Sequence, residues 1–145
     1  MAQDAVTLLD DDHNEAIRLF ERFKAAHQGN TQELITSQLR QALLVHMQIE
    51  EEIFYPAYQK ATGDTESLED ARKEHAEARE LLAKLDANRQ DARLMLELED
   101  AILHHVNDER EKMFPKARSA KGLDLDALGE RLEARKTELM AGAGA

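Results

Sequence analysis

Apolar residues recur along this chain at steps of three and four, the interval that lines one face of an α-helix. Leu68, Ala71, His75, Ala78, Leu82 and Leu85 give the cleanest run. Leu9, His13, Ala16, Phe20 and Phe23 make a second stripe, and Leu39, Leu43, His46, Glu50 and Ile53 a third. A fourth passes through Leu94, Leu98, Ile102, His105 and Glu109. Breaks fall at Gly29-Asn30, at Gly63-Asp64, around Asn88 and at Gly122. Asn30 with Glu33, and Ser67 with Asp70, have the spacing of a helix N-cap and its N3 partner. These signals predict helices over 4–27, 31–61, 67–87 and 91–119, then a shorter one over 124–140. Four amphipathic helices with short connections predict an all-α, up-down-up-down four-helix bundle occupying 1–121. The additional short C-terminal helix, within 122–140, is expected on or beside the bundle, and the tail 141–145 is expected to be disordered.

Composition narrows the functional classes. Only 6 Gly and 2 Pro interrupt a chain that is 42% hydrophobic, and aromatic residues are few, which favours helices over strands. At 145 residues the chain suits one domain with one real core. A net charge of −11 argues against a nucleic-acid partner, which asks for a basic stripe, and against an anionic membrane surface. The absence of Cys excludes disulfides, thiolate metal sites and thiol catalysis. The start carries Asp4, Asp10, Asp11 and Asp12 rather than the basic and apolar regions of a signal peptide, and no apolar run approaches transmembrane length. The cytoplasm is the expected compartment.

The stripes contain an anomaly. Each of the four holds a histidine at an inward position, and the second and fourth also hold a glutamate there. A buried ionised carboxylate costs several kcal/mol unless it is paired or bound to metal. One inward histidine is more often a satisfied core residue, but four with two glutamates point to metal. The competing explanation is a buried His–Glu hydrogen-bond network, which has little reason to recur at matched offsets in both halves of a chain.

The chain repeats itself through these residues. His13 to Phe23 aligns with His75 to Leu85 at an offset of 62. His46-x3-Glu50-x5-Pro56 aligns with His105-x3-Glu109-x5-Pro115 at an offset of 59. Two similar helix pairs face to face would bring both sets of His and Glu to one centre. An i, i+4 spacing stacks each His over its Glu, about one turn of roughly 5.4 Å apart. Two metals bridged by two carboxylates, each held by two histidines, fit that arrangement. Imidazole with carboxylate suits iron or Mn, with Zn as a further alternative. A bridging oxide, hydroxide or water would reduce the remaining positive charge and leave room for an external ligand.

These residues resemble the hemerythrin-like superfamily in its HHE form, whose signature H…HxxxE…H…HxxxE is met by His13, His46-x3-Glu50, His75 and His105-x3-Glu109. Both HxxxE elements stand six residues before a proline that follows an aromatic, Tyr55-Pro56 and Phe114-Pro115, and the likeness spans roughly 5–118. It implies a four-helix bundle with a non-haem di-iron centre and an oxygen bridge. His13 and His46 would serve one iron, His75 and His105 the other, and Glu50 and Glu109 would bridge. The five-histidine oxygen carriers of the superfamily have HxxxH on the third helix, where this chain places Arg79, and a bridging aspartate where it has Glu109. Four-histidine members are associated instead with regulation, peroxide breakdown or stress response.

The expected function is therefore binding of O2, peroxide or NO at a carboxylate-bridged metal pair, in sensing, iron handling or protection. One alternative is a metal-dependent enzyme that breaks down peroxide or reduces NO, with no separate nucleophile or acid–base dyad. Another is a metal-free helical interaction module. Tyr55, five residues after Glu50, is an additional candidate for one metal, or else a core or rim aromatic. His104, whose counterpart in the repeat is Val45, is expected to lie outside the site, and His27 to sit at a helix end. Glu51 and Glu52 are expected on a solvated face, while Arg79 and Arg110 are either outer supports of the site or surface groups.

Overall fold

A computed structural model describes residues 3–143, and every regular element among them is helical. Helix α1 spans Ala5–Ala25, α2 Gly29–Ile49, α3 Tyr55–Thr62, α4 Thr65–Ala87, α5 Ala92–Asp108, α6 Phe114–Ser119 and α7 Leu125–Ala143. Two π-helical segments, Glu50–Phe54 and Glu109–Met113, join α2 to α3 and α5 to α6 without a break in the rod. Helix α1 packs on α2 and α4 on α5, which are the two halves of the repeat, and α7 lies across α1 and α2.

The helix starts show which of the polar punctuation is used. Asp4 caps α1 by accepting from the Thr7 N–H at 2.9 Å, and Asp91 caps α5 by accepting from Arg93 and Leu94. The cap expected at Ser67 is supplied earlier, by Asp64, whose carboxylate accepts from the Ser67 N–H. The cap expected at Asn30 is likewise corrected. Helix α2 begins at Gly29 behind Gln28, which makes no side-chain cap bond, and Asn30 accepts only from its neighbour Thr31. Gly63 ends α3 at a φ of 72°, a left-handed turn that favours glycine.

The uninterrupted α-helices expected over 31–61 and 91–119 are corrected at the π segments. Within them the Tyr55 N–H donates to the Glu50 carbonyl and the Phe114 N–H to the Glu109 carbonyl, five residues back. Pro56 and Pro115 supply the reason: a proline gives no N–H to the carbonyl four residues earlier, and its ring presses on it. Each widened turn starts at one of the inward glutamates.

Two apolar clusters fill the interior. One gathers Leu9, Ile49, Phe54, Tyr58, Leu68, Phe114 and, from α7, Leu128 and Leu132. The other gathers Phe20, Phe23, Leu39, Met47, Leu82, Leu98 and Ile102. Leu132 is wholly buried, so α7 is part of the core, and that one side chain contributes on the order of 2 kcal/mol. Residues 141–143 of the expected disordered tail belong to α7, and 144–145 lie outside the described residues. Along α1 the histidine falls between Leu9 of the first cluster and Ala16 of the second, and along α4 between Ala71 and Ala78. A polar layer thus separates two greasy ones.

Candidate metal centre

That layer is built by one residue from α1, one from α2, one from α4, one from α5 and the first residue of each π segment. His13, His46, Glu50, His75, His105 and Glu109 are all at most 5% exposed, with Glu50, His75 and Glu109 fully buried. Their facing atoms converge. Glu50 Oε1 lies 3.2 Å from His46 Nε2, 3.1 Å from His75 Nε2 and 3.5 Å from His105 Nε2. Glu109 Oε1 lies 2.9 Å from His13 Nε2 and 3.0 Å from His105 Nε2. His75 Nε2 and His105 Nε2 are 3.1 Å apart. Two overlapping sets of ligand atoms result, His13, His46, Glu50 and Glu109 in one, and Glu50, His75 and His105 in the other.

Tyr55 enters the same centre. Its hydroxyl donates to Glu50 Oε1 and Glu109 Oε2, each at 3.1 Å, and lies 3.2 Å from His75 Nε2. The π turn helps bring it there, because its wider winding rotates Tyr55 closer to the side of Glu50 than a five-residue α-helical step would. Its repeat counterpart Phe114 has no hydroxyl and stacks on His13, with ring centroids 5.7 Å apart. Tyr55 lies over His75 at 5.5 Å, so each aromatic covers the histidine of the opposite half.

The outward nitrogens are held as consistently as the inward ones. His13 Nδ1 faces Asp10 at 3.1 Å and His46 Nδ1 faces Asp12 at 3.0 Å. His75 Nδ1 faces Glu51 at 2.7 Å and His105 Nδ1 faces Glu74 at 2.6 Å. A carboxylate on Nδ1 fixes the tautomer that leaves the Nε2 lone pair free for a cation. Three of these carboxylates have basic partners of their own. Arg110 donates to Asp10 at 2.6 Å, Lys136 to Asp12 at 2.5 Å, and Arg79 grips Glu51 through both oxygens at 2.7 and 2.8 Å. Glu74 instead faces His104 at 3.3 Å, and His104 also approaches Asp108 at 3.4 Å.

The electrostatics of the protein groups alone are tense. Burial works against a charged His46, but the Glu50 charge, the Asp12 hydrogen bond and the Asp12 charge hold its pKa up at about 10. Burial likewise opposes charge on His105, yet Glu109, Glu50 and Glu74 keep it well above the usual imidazole range. For Glu50, burial is overcome by His46, Glu109 and His105, which keep its carboxyl well below the usual range. Burial and the charges of Glu109 and Glu50 push the Tyr55 phenol well up, so it remains a neutral donor. Hydrogen bonds from His75 and Arg79 outweigh the burial of Glu51 and bring it down to about 2.

The donor set fits a metal ion on a further observation. His46 Nε2 and Glu50 Oε2 are buried and have no hydrogen-bond partner among the described residues. Native proteins rarely leave such atoms orphaned, and a cation in the cluster would satisfy both. A histidine-and-carboxylate layer with outer carboxylates behind every imidazole is a site able to bind metal ions.

The family model described as the Hemerythrin HHE cation binding domain matches residues 4–117. The chain belongs to this family. A crystal structure of a hemerythrin HHE cation binding domain-containing protein from Mycobacterium kansasii is similar to this HHE domain. It has a TM-score of 0.82 and 22% identity over 97% of this chain and 89% of that one. At that identity the likeness shows the fold. No curated protein matches the sequence significantly.

In this HHE domain all six inward residues singled out by periodicity come together, with Tyr55 among them, while His104 stays 70% exposed and outside the layer. Glu51 corrects the expectation of a solvated face, because it supports His75. Glu52 does remain at the surface, paired with Arg135. Arg79 and Arg110 prove to be outer supports, each behind the carboxylate of a histidine. The outer carboxylates themselves are not singled out by periodicity. One signal was available: Asp12 and Glu74 immediately precede His13 and His75, so they stand at the same offset of 62. Each reaches across to the HxxxE histidine of its own half.

Proposed function

We propose that this protein holds two iron ions in the polar layer of an up-down-up-down four-helix bundle and there binds O2, peroxide or NO. Sensing, iron handling or protection against oxidative and nitrosative stress in the cytoplasm is the corresponding role, with no nucleic-acid or membrane partner. His13 and His46 would hold one ion, His75 and His105 the other, and Glu50 and Glu109 would reach both. The observation that carries the reading is the polarity of the four imidazoles. Every Nε2 faces the shared carboxylates and every Nδ1 is held by an outer carboxylate.

Bound iron would supply one-electron redox chemistry and polarise a small ligand. The protein's own contribution is geometric. Two apolar clusters exclude bulk water from above and below, and the outer carboxylates fix the tautomers. Tyr55 offers one more oxygen beside the carboxylates and a proton donor inside the layer.

That donor favours a second reading, in which the protein turns over peroxide or NO rather than binding one ligand per site. Iron-loaded protein mixed with peroxide in an oxygen electrode separates the two. Oxygen release over many cycles per chain supports the enzyme. A single stoichiometric absorption change with O2, peroxide or NO supports the binding protein. Absence of both responses in iron-loaded protein would refute the proposal.

A further inference from the structure

Helix α7 lies beyond the matched 4–117 segment and has no counterpart in the second half of the repeat, yet it reaches the centre. Leu128 and Leu132 are buried against the first apolar cluster. At Gly129 the approach to α1 is so close that a Cβ would overlap the Gln3 carbonyl oxygen. This packing carries Lys136 to Asp12, with Nζ 2.5 Å from Oδ1. The other oxygen of that carboxylate, Oδ2, takes His46 Nδ1 at 3.0 Å. A chain of two hydrogen bonds therefore runs from α7 to an imidazole whose Nε2 faces the layer.

Asp12 needs that second tether. Two clefts of about 340 and 380 Å³ lie against it, and Asp12 and Lys136 line both. Without Lys136, a carboxylate that borders two clefts has room to swing outward and drop His46 Nδ1. Asp10 and Glu51 are tethered by Arg110 and Arg79, which belong to the bundle itself. Glu74, the repeat counterpart of Asp12, faces His104 and Asp108 rather than a lysine or arginine.

We infer that Lys136 is a positioning residue for one member of the metal pair: through Asp12 it holds His46, so α7 sets the affinity of the His13/His46 position and leaves the His75/His105 position to the bundle. This rests on the two-metal proposal. The test is an anaerobic calorimetric titration with Fe(II) of the full chain, Lys136→Met and Lys136→Arg. Lys136→Met is expected to weaken one equivalent at least about tenfold, the usual cost of a lost outer partner, and to leave the other unchanged. Lys136→Arg is expected to restore it. Two equivalents bound as in the parent by Lys136→Met, or both weakened alike with no rescue by Arg, would overturn the inference. A parent chain that does not take up two equivalents would overturn the two-metal proposal itself, and this inference with it.

Discussion

The hydroxyl of Tyr55 donates to Glu50 Oε1 at 3.1 Å, and the π turn between the two residues brings them nearer to one side of the helix. In an α-helix a five-residue step would leave them more than a quarter-turn out of line. Single π turns inside α-helices concentrate at functional sites, and here both occur at the inward glutamates.

Replacing Tyr55 by Phe removes a donor shared by two buried carboxylates. In metal-free protein the cost should be about 1–3 kcal/mol. In metal-loaded protein it should be smaller, since the carboxylates then have a cation. Denaturant unfolding of both forms of both chains measures the difference; no cost in either form would show that the phenol serves only packing.

His46→Ala and Glu109→Ala should abolish most of the thermal stabilisation that Fe(II) gives. Ligand that binds only the folded state is worth about 2.7 kcal/mol at a concentration one hundred times its dissociation constant. His104→Ala, at an exposed position outside the layer, should keep that stabilisation. Thermal melts with and without Fe(II) compare the three, and loss of the effect in His104→Ala would shift the metal register along α5.

How much of this centre is legible in the sequence depends on what periodicity can see. A histidine or glutamate in a run of leucines at helical steps, as at His75 or Glu109, is visible because burial there needs a compensating partner. Asp10, Asp12, Glu51 and Glu74 sit among 30 acidic residues, most of them on solvated faces. Whether an acid beside a ligand faces water or the next helix depends on how the two helices are rotated, which composition does not record. The π turns leave only Pro56 and Pro115 as a trace, since a widened hydrogen bond does not alter the order of apolar positions.

Metal uptake at neutral pH should release protons. The His46 pKa is raised to about 10 in the metal-free fold, above its ordinary 6.5. Its charge therefore stabilises that fold fully below 6.5, and the contribution is lost as pH rises through about 10. Metal needs the neutral imidazole, so affinity should rise with pH over the same window. Calorimetry in buffers of different ionisation enthalpy counts the protons; no buffer dependence at pH 7 would contradict the picture.

Asp64 gives a pH effect far from the metal layer. Burial opposes its charge, but the Tyr58 hydroxyl at 2.6 Å, the Ser67 N–H and Lys116 bring its pKa down to about 2. A lowered carboxyl pKa stabilises above the unfolded value of 3.8 and loses that effect as pH falls through about 2. Asp64→Ala should therefore cost about 1 kcal/mol or more at pH 7 as a lost helix cap. The gap between the two chains should narrow in acid, as urea unfolding at pH 7 and pH 2.5 would show.

The most direct test is elemental analysis of protein produced without a chelating tag in iron-rich medium, or reconstituted anaerobically with Fe(II). About two irons per chain are expected, one for each of the two sets of ligand atoms that share Glu50. No metal after reconstitution, or one ion that survives removal of either histidine pair, would contradict the two-metal centre.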